Sequence, residues 1–221
     1  MPTTPGDLST QNDLFSSATS TLALDRSFTT AKRIAIDSTS WVEIVPGWLS
    51  GAQLLLEALR STVPWQQRDR RLFDQTFREP RMTAEYRTLA AVRNRTLLDC
   101  VQALSGHYDV AYDSLWLNLY RDGQDSTGWH RDRFSCRQPE CIVPVLTLGA
   151  TRRFLIKPRN GGPSLVFKPN SGDLLVMGGR SQEDWVHSVP KDRVVTGQRM
   201  SINFQSSAQA RSPHSYFSLR T

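Results

Sequence analysis

Two segments of the chain alternate strictly between apolar and polar positions. In S-L-W-L-N-L-Y (114–120), Leu115, Leu117 and Leu119 fall on one face, and Trp116, Asn118 and Tyr120 on the other. In R-M-S-I-N-F-Q (199–205), Met200, Ile202 and Phe204 alternate with Arg199, Ser201, Asn203 and Gln205. A period of two sends successive side chains to opposite faces of an extended strand, so each segment is predicted to bury one face and offer polar groups from the other. Shorter runs at 41–45, 141–148, 152–156, 164–167 and 173–177 read as further strands between turns. Helical spacing occurs only earlier in the chain. Ser50 is the predicted N-cap of a helix through Leu54, Leu55, Ala58 and Leu59 that stops before Pro64. A second helix is predicted over Thr88 to Leu104, with Gly106 as its C-cap. Many short strands preceded by a pair of helices suggest a mainly β (α+β) domain, a jelly roll or sandwich whose outer face the helices cover.

Residues 1–26 are rich in Ser, Thr, Asp and Pro and bury too little apolar surface to offset the entropy of ordering, so a disordered tail is expected there. The domain is expected over 27–206, and 207–221 reads as a flexible polar tail. Residues 65–86 mix arginines with Trp65, Phe73 and Phe77 and show no clean period. Such a stretch suits either a flap over phosphates and an unstacked base, or a surface hairpin whose aromatics anchor the core. There is no internal repeat.

At 221 residues and 25.0 kDa the chain is long enough for one well-buried domain. A mean hydropathy of −0.42 suits a globular protein away from membranes, and no apolar run approaches the roughly 20 residues a membrane helix needs. No basic start followed by an apolar core marks a signal peptide. Three cysteines (Cys100, Cys136, Cys141) do not suggest a disulfide framework, and a reducing cytoplasm is the expected location. Cys100 falls on the apolar side of the second helix and is expected to be buried. The net charge of +6, with pI ≈ 9.6, would attract phosphates and makes nucleic acid a natural partner, though charge alone does not require a polyanion.

The candidate chemistry sits in W-H-R-D-R-F (129–134) and H-S-V-P-K (187–191). His130 and Asp132 lie two apart and project to one side of an extended backbone. His187, 57 residues later, can reach them across an antiparallel fold. Two imidazoles and one carboxylate on one face of a metal leave positions open, which suits a non-haem Fe(II) oxygenase binding a bidentate 2-oxo acid and then dioxygen. A 2-oxoglutarate cosubstrate also needs a cation for its distal carboxylate, and Arg199 is placed to supply it. His107 and His214 lack such company and read as structural or tail residues. The C-x4-C pair Cys136/Cys141 is at the edge of zinc-ligand spacing and has no second pair.

From Trp41 to Gln205 the chain resembles the AlkB family of Fe(II)/2-oxoglutarate-dependent nucleic-acid dealkylases. The resemblance rests on E-P-R-M-T-A (79–84), N-L-Y-R-D-G-Q-D-S-T-G-W-H-R-D (118–132), T-L-G-A-T-R-R-F (147–154), D-L-L-V-M-G-G (173–179) and W-V-H-S-V-P-K (185–191). It implies a double-stranded β-helix with helices on one face, and Fe(II) held by His130, Asp132 and His187. It further implies that Asn118, Tyr120, Arg199 and Gln205 contact 2-oxoglutarate, with O2 as the second cosubstrate. The 65–86 stretch then resembles the family's nucleotide-recognition flap, making Trp65, Phe73, Arg81 and Tyr86 candidates to frame a flipped base or a phosphate. Arg152 and Arg153 stand where the family has paired arginines, of which at least one is expected to be structural.

Two positions depart from the family pattern. Gln205 replaces the second arginine of R-x5-R, so the grip on the cosubstrate is expected to weaken without vanishing. Arg133 and Phe134 follow H-x-D where many relatives have an acid; Arg133 would repel a cationic base and Phe134 could stack on a neutral adduct. The implied function is oxidative dealkylation of nucleobases in DNA, releasing formaldehyde, succinate and CO2, by a monomer that flips its base or takes single strands. The alternatives are the same chemistry on RNA, protein or a small molecule, or a catalytically weakened nucleic-acid-binding homologue.

Overall fold

The computed structural model describes residues 21–72, 74–132 and 140–208. The first part of the chain contains strands β1 (Ala23–Leu24), β2 (Lys32–Ala35), β3 (Ser40–Val45) and β4 (Leu49–Ser50), then helix α1 (Ala52–Thr62). Strands β5 (Asp69–Leu72), β6 (Gln75–Arg78) and β7 (Met82–Tyr86) follow, then a 3-10 turn at Leu89–Ala91 and helix α2 (Arg95–Tyr108). The rest is β8 (Ser114–Tyr120), β9 (Thr127–His130), β10 (Val143–Gly149), β11 (Phe154–Pro158), β12 (Leu165–Phe167), β13 (Leu174–Gly179), the short helix α3 (Ser181–Asp184), β14 (Trp185–Val189) and β15 (Arg199–Gln205).

Two antiparallel sheets carry the architecture. The major sheet has the order β2-β3-β13-β10-β15-β8-β7 and the minor sheet β12-β11-β14-β9. From β8 onward the chain crosses between them: β8 major, β9 minor, β10 major, β11 and β12 minor, β13 major, β14 minor, β15 major. This winding is the double-stranded β-helix.

The alternation in the sequence explains the layers. Leu115, Leu117 and Leu119 of β8, with Met200, Ile202 and Phe204 of β15, join a buried cluster with Leu55 and Leu59 of α1 and Leu97 and Leu104 of α2. Helices therefore cover the outer face of the major sheet. Val143, Val145, Phe154, Ile156, Leu175 and Met177 fill a second cluster, built from residues of both sheets. Fully burying one such aliphatic side chain contributes about 1.5–3 kcal/mol. Both sheets are thus fixed by apolar contacts, and the polar face of β8 and β15 is left to line what lies between them.

Several element boundaries differ from the sequence expectation. Helix α1 is entered through Gly51, whose φ of 66° is left-handed, and Ser50 lies in β4 instead of capping the helix. A side chain at Gly51 would also sit 2.6 Å from the Thr21 carbonyl oxygen. Helix α2 starts at Asn94, whose side chain accepts the Leu97 amide, and it runs past Gly106 to a left-handed Asp109. The expected start at Thr88 is instead a separate 3-10 turn. Residues 23–24, assigned to a disordered tail, pair with β4 (Leu24 opposite Leu49), because Leu24 packs on the core. The remaining tail residues (1–20 and 209–221, including His214) lie outside the described residues. Among the described cysteines, Cys100 is a buried free thiol whose pKa burial raises to about 12, and Cys141 is disulfide-bonded. No helix is long and apolar enough to cross a membrane among the described residues.

Candidate active site

The facing strands β9 and β14 set His130 opposite His187. Asp132 follows just past the end of β9. His130 Nε2 lies 3.6 Å from Asp132 Oδ1, and His187 Nε2 lies 3.6 Å from Asp132 Oδ2. The three donor atoms fall within 4.8 Å of one another, so one cation can touch all three. His130 Nδ1 is 2.9 Å from the Gly128 carbonyl oxygen, which can only accept. That nitrogen therefore carries the hydrogen, and the Nε2 lone pair faces Asp132. His187 is buried and stacks on Phe154, with ring centroids 5.3 Å apart.

The electrostatics suit a metal. Burial, reinforced by the neighbouring His187, lowers the His130 pKa to about 4. Burial works against ionisation of Asp132, yet the two histidines and the Asn203 amide outweigh it and hold its pKa near about 2. At neutral pH the cluster thus offers a neutral imidazole at His130 and a carboxylate at Asp132, the deprotonated state that metal binding needs. Among the described residues the carboxylate's side-chain partners are long: Asn203 Nδ2 reaches Oδ2 at 3.4 Å and the histidine nitrogens lie at 3.6 Å.

The β8–β15 pairing builds the neighbouring wall. Arg199 stands opposite Tyr120, Ser201 opposite Asn118 and Asn203 opposite Trp116. Tyr120 bonds Thr127 through its hydroxyl at 2.8 Å, and Asn118 Nδ2 donates to Ser201 Oγ at 3.1 Å. Asn118 Oδ1 accepts from Arg81 Nε at 2.9 Å and from Trp116 Nε1 at 3.0 Å. One N–H of the Asn118 amide remains for a ligand.

Arg199 and Arg152 are both buried at 1% exposure, and they differ in how their charge is met. The Arg152 guanidinium donates to the carbonyls of Asp122, Asp125 and Pro190 at 2.7–2.9 Å, which makes it a structural clamp. Arg199 has one long bond, 3.3 Å from Nη2 to Thr147 Oγ1, while its Nε and Nη1 have no partner. A buried cation with orphan donors is costly unless something anionic meets it. Arg199 lines the same cavity as the triad, a space of about 840 Å³ bounded also by Asn118, Tyr120 and Gln205. The distal carboxylate of a 2-oxo dicarboxylic acid would meet the unpartnered donors of this guanidinium.

The outer candidates separate. Arg81 lines the cavity but spends its Nε on Asn118 and lies 3.7 Å from Glu79, so it braces the cosubstrate wall. Trp65 packs against the main core and donates to the Leu59 carbonyl at 3.2 Å, and Tyr86 packs on the same core. Neither lines the cavity. Phe73, Arg133 and Phe134 lie outside the described residues. Arg153 sits on the surface, 3.7 Å from Asp192.

Other cavity residues were not singled out from the sequence. Ser201 and Asn203, which the alternation sets on the polar face of β15 with Arg199, line the cavity without having been named as site candidates. Gln182 carries no such signal. It is buried on α3, and its Oε1 accepts the Asp132 amide at 2.9 Å while its Nε2 points at the Met177 sulfur, 3.4 Å away. It fixes the backbone that carries the carboxylate. Gln182→Met, which removes the acceptor at similar volume, is expected to weaken Co(II) or Mn(II) binding about tenfold, the usual cost of losing an outer partner of a ligand. Gln182→Glu keeps the acceptor and is expected to stay within about threefold of wild type. Equal metal affinity in all three proteins would reduce Gln182 to a packing residue.

Residues 42–205 match the model of the 2OG-Fe(II) oxygenase superfamily. The human alpha-ketoglutarate-dependent dioxygenase alkB homolog 3 is 32% identical over 191 residues, covering 75% of this chain and 66% of that protein. The rat homolog 3 is also 32% identical, with 64% of its length covered, so the chain spans just under two thirds of these relatives. The Arabidopsis thaliana DNA oxidative demethylase ALKBH2 is 30% identical over 119 residues, covering 42% of this chain and 37% of that protein. The structure of OsALKBH1 superposes with a TM-score of 0.55 at 13% identity, covering 79% of this chain and 100% of that one, which shows a shared fold.

Proposed function

Since the chain belongs to the 2OG-Fe(II) oxygenase superfamily, we propose that it is an AlkB-like, Fe(II)/2-oxoglutarate-dependent dioxygenase that removes alkyl groups from nucleobases. The observation that carries the reading is the pairing of a His-Asp-His cluster with an orphan-donor arginine in one cavity. When bound, Fe(II) with 2-oxoglutarate supplies the activation of O2 that couples decarboxylation of the 2-oxo acid to hydroxylation of a C–H bond.

The protein's part is position and exclusion. His130, Asp132 and His187 would hold the metal, and the rest of the cavity would be left to its other ligands. Arg199, with Tyr120 beside it at 5.2 Å from guanidinium carbon to ring, receives the distal carboxylate. Asn118, braced by Arg81 and Ser201, offers its remaining N–H. Gln205 stands on the cavity wall with a neutral donor, so 2-oxoglutarate binds more weakly than it would to a second arginine. A nucleobase enters from the open side only when unstacked, since a base inside a duplex cannot bring its alkyl carbon within reach. Hydroxylation of an N-linked methyl carbon would give an N-hydroxymethyl group, whose C–N bond then breaks: the carbon leaves as formaldehyde and the hydroxyl proton is made good on the base nitrogen.

The test is mass spectrometry of matched DNA and RNA oligonucleotides carrying cationic methyl or neutral etheno bases, with a methylated peptide as a further arm. Loss of the adduct with stoichiometric succinate is expected on nucleic acid, with neutral adducts favoured on the sequence ground that an arginine directly follows Asp132. Equal turnover of both adduct types would remove the substrate preference. Turnover on the peptide alone, or on none of the arms, would overturn the reading.

A further inference from the structure

Among the described residues, only two large exposed apolar side chains also line the cavity: Phe77, 49% exposed on β6, and Trp129, 42% exposed on β9. Trp129 immediately precedes the metal ligand His130, so it points to the opposite face of β9. Val186 precedes His187 in the same way, and Lys157 pairs with Val186 across β11 and β14. Trp129, Val186 and Lys157 therefore share the outer face of the minor sheet, while the two histidines face inward. The contact agrees: Lys157 Nζ lies 4.3 Å from the Trp129 ring centroid. Because β9 is the edge strand of that sheet, the cavity opens around it, and Trp129, Val186 and Arg159 belong to its lining.

The charges on this face point to one kind of occupant. The nearby acids are engaged: Glu183 lies 3.8 Å from Arg131, and Asp184 bonds Arg180 at 2.7 Å. Lys157 and Arg159 have no carboxylate partner among the described residues. A half-exposed indole held on one side by an ammonium keeps its other side available. Lys157 at the ring and Arg159, two residues further along the chain and in the cavity lining, add positive charge to this side of the cavity. An indole with flanking cations is the arrangement that binds single-stranded nucleic acid, by stacking a base and neutralising the backbone.

Resting on the dealkylase reading above, we propose that the substrate strand continues from the cavity around the β9 edge, with a neighbouring unpaired base on Trp129 and its phosphate on Lys157 and Arg159. The site thus takes a single-stranded polynucleotide rather than a free nucleoside. Base stacking and phosphate contact have different signatures, so each residue can be assigned its own.

The experiment is fluorescence anisotropy of labelled single-stranded DNA, single-stranded RNA and duplex DNA, each measured over a series of salt concentrations with the metal-loaded protein. Trp129→Leu is expected to weaken single-strand binding about tenfold at every salt, with an unchanged slope of log K against log salt. Trp129→Phe keeps a ring and is expected to recover most of that loss. Lys157→Gln is expected to flatten the slope by about 0.7, the release expected for one phosphate on a single strand. Metal affinity measured in the Lys157→Gln protein separates a loss of phosphate contact from a disturbance of the ligands next to Trp129 and Val186. Equal losses on duplex and single strand, or a slope unchanged by Lys157→Gln, would overturn the inference. A wild-type protein that binds no polynucleotide would overturn it together with the dealkylase reading. Tight wild-type binding that none of the variants alters would overturn this inference alone. DNA and RNA arms that agree assign the face to the shared backbone and base chemistry.

Discussion

Asp132→Ala is expected to abolish turnover while leaving the fold intact. Losing an outer partner of a metal ligand already costs about 10–100-fold in affinity, so losing the only carboxylate of the triad is expected to cost at least about 100-fold. Structural damage should be small, because among the described residues the carboxylate meets its partners only at long range, Asn203 at 3.4 Å and the histidine nitrogens at 3.6 Å. Removing a buried negative charge held this loosely does not break a network. Metal titration and thermal unfolding of the metal-free protein check both halves. Unchanged metal affinity would remove Asp132 from the site, and a collapse of the metal-free fold would make its role structural.

Arg199→Met is expected to separate binding from stability in the opposite sense. Two charge-assisted hydrogen bonds to a carboxylate are lost, which together should raise the 2-oxoglutarate Kd at least about 100-fold. The metal-free protein should become more stable, by about 1–3 kcal/mol, since a buried guanidinium with unpaired Nε and Nη1 gives way to an apolar chain of similar length. Arg199→Lys should fall between, keeping the charge and losing the planar fork. Calorimetry with 2-oxoglutarate and urea unfolding of the metal-free protein provide the readings. A destabilised Arg199→Met protein with normal cosubstrate affinity would show Arg199 to be a clamp like Arg152.

The contrast between these two arginines shows what the sequence could carry. Both look alike in the chain, and only the carbonyls of Asp122, Asp125 and Pro190 around one of them reveal a structural role. Strands β8 and β15 were legible to the residue because their two faces differ sharply: leucines and aliphatics meet the helices, and polar groups meet the cavity. Strand β9 was not, since T-G-W-H is short and its fourth residue is a ligand. The helix starts shifted because Gly51 and Asn94 satisfy local backbone geometry that hydrophobic spacing does not encode. For the triad, H-x-D spacing placed His130 and Asp132 on one side, whereas the approach of His187 depends on β9–β14 pairing across the minor sheet. Trp65 and Tyr86 illustrate the limit in the flap: an aromatic there faces core or cavity according to the path of the hairpin, and composition cannot say which.

One metal ion at His130, Asp132 and His187 and one dicarboxylate reaching to Arg199 would share this cavity. Anaerobic calorimetric titration of 2-oxoglutarate into the protein, with and without one equivalent of Fe(II) or Mn(II), tests it most directly. The prediction is 1:1 binding that is strong with metal, at least about tenfold weaker without it, and lost in Asp132→Ala. Binding of equal strength to metal-free protein, or undiminished in Asp132→Ala, would separate the dicarboxylate site from the metal site.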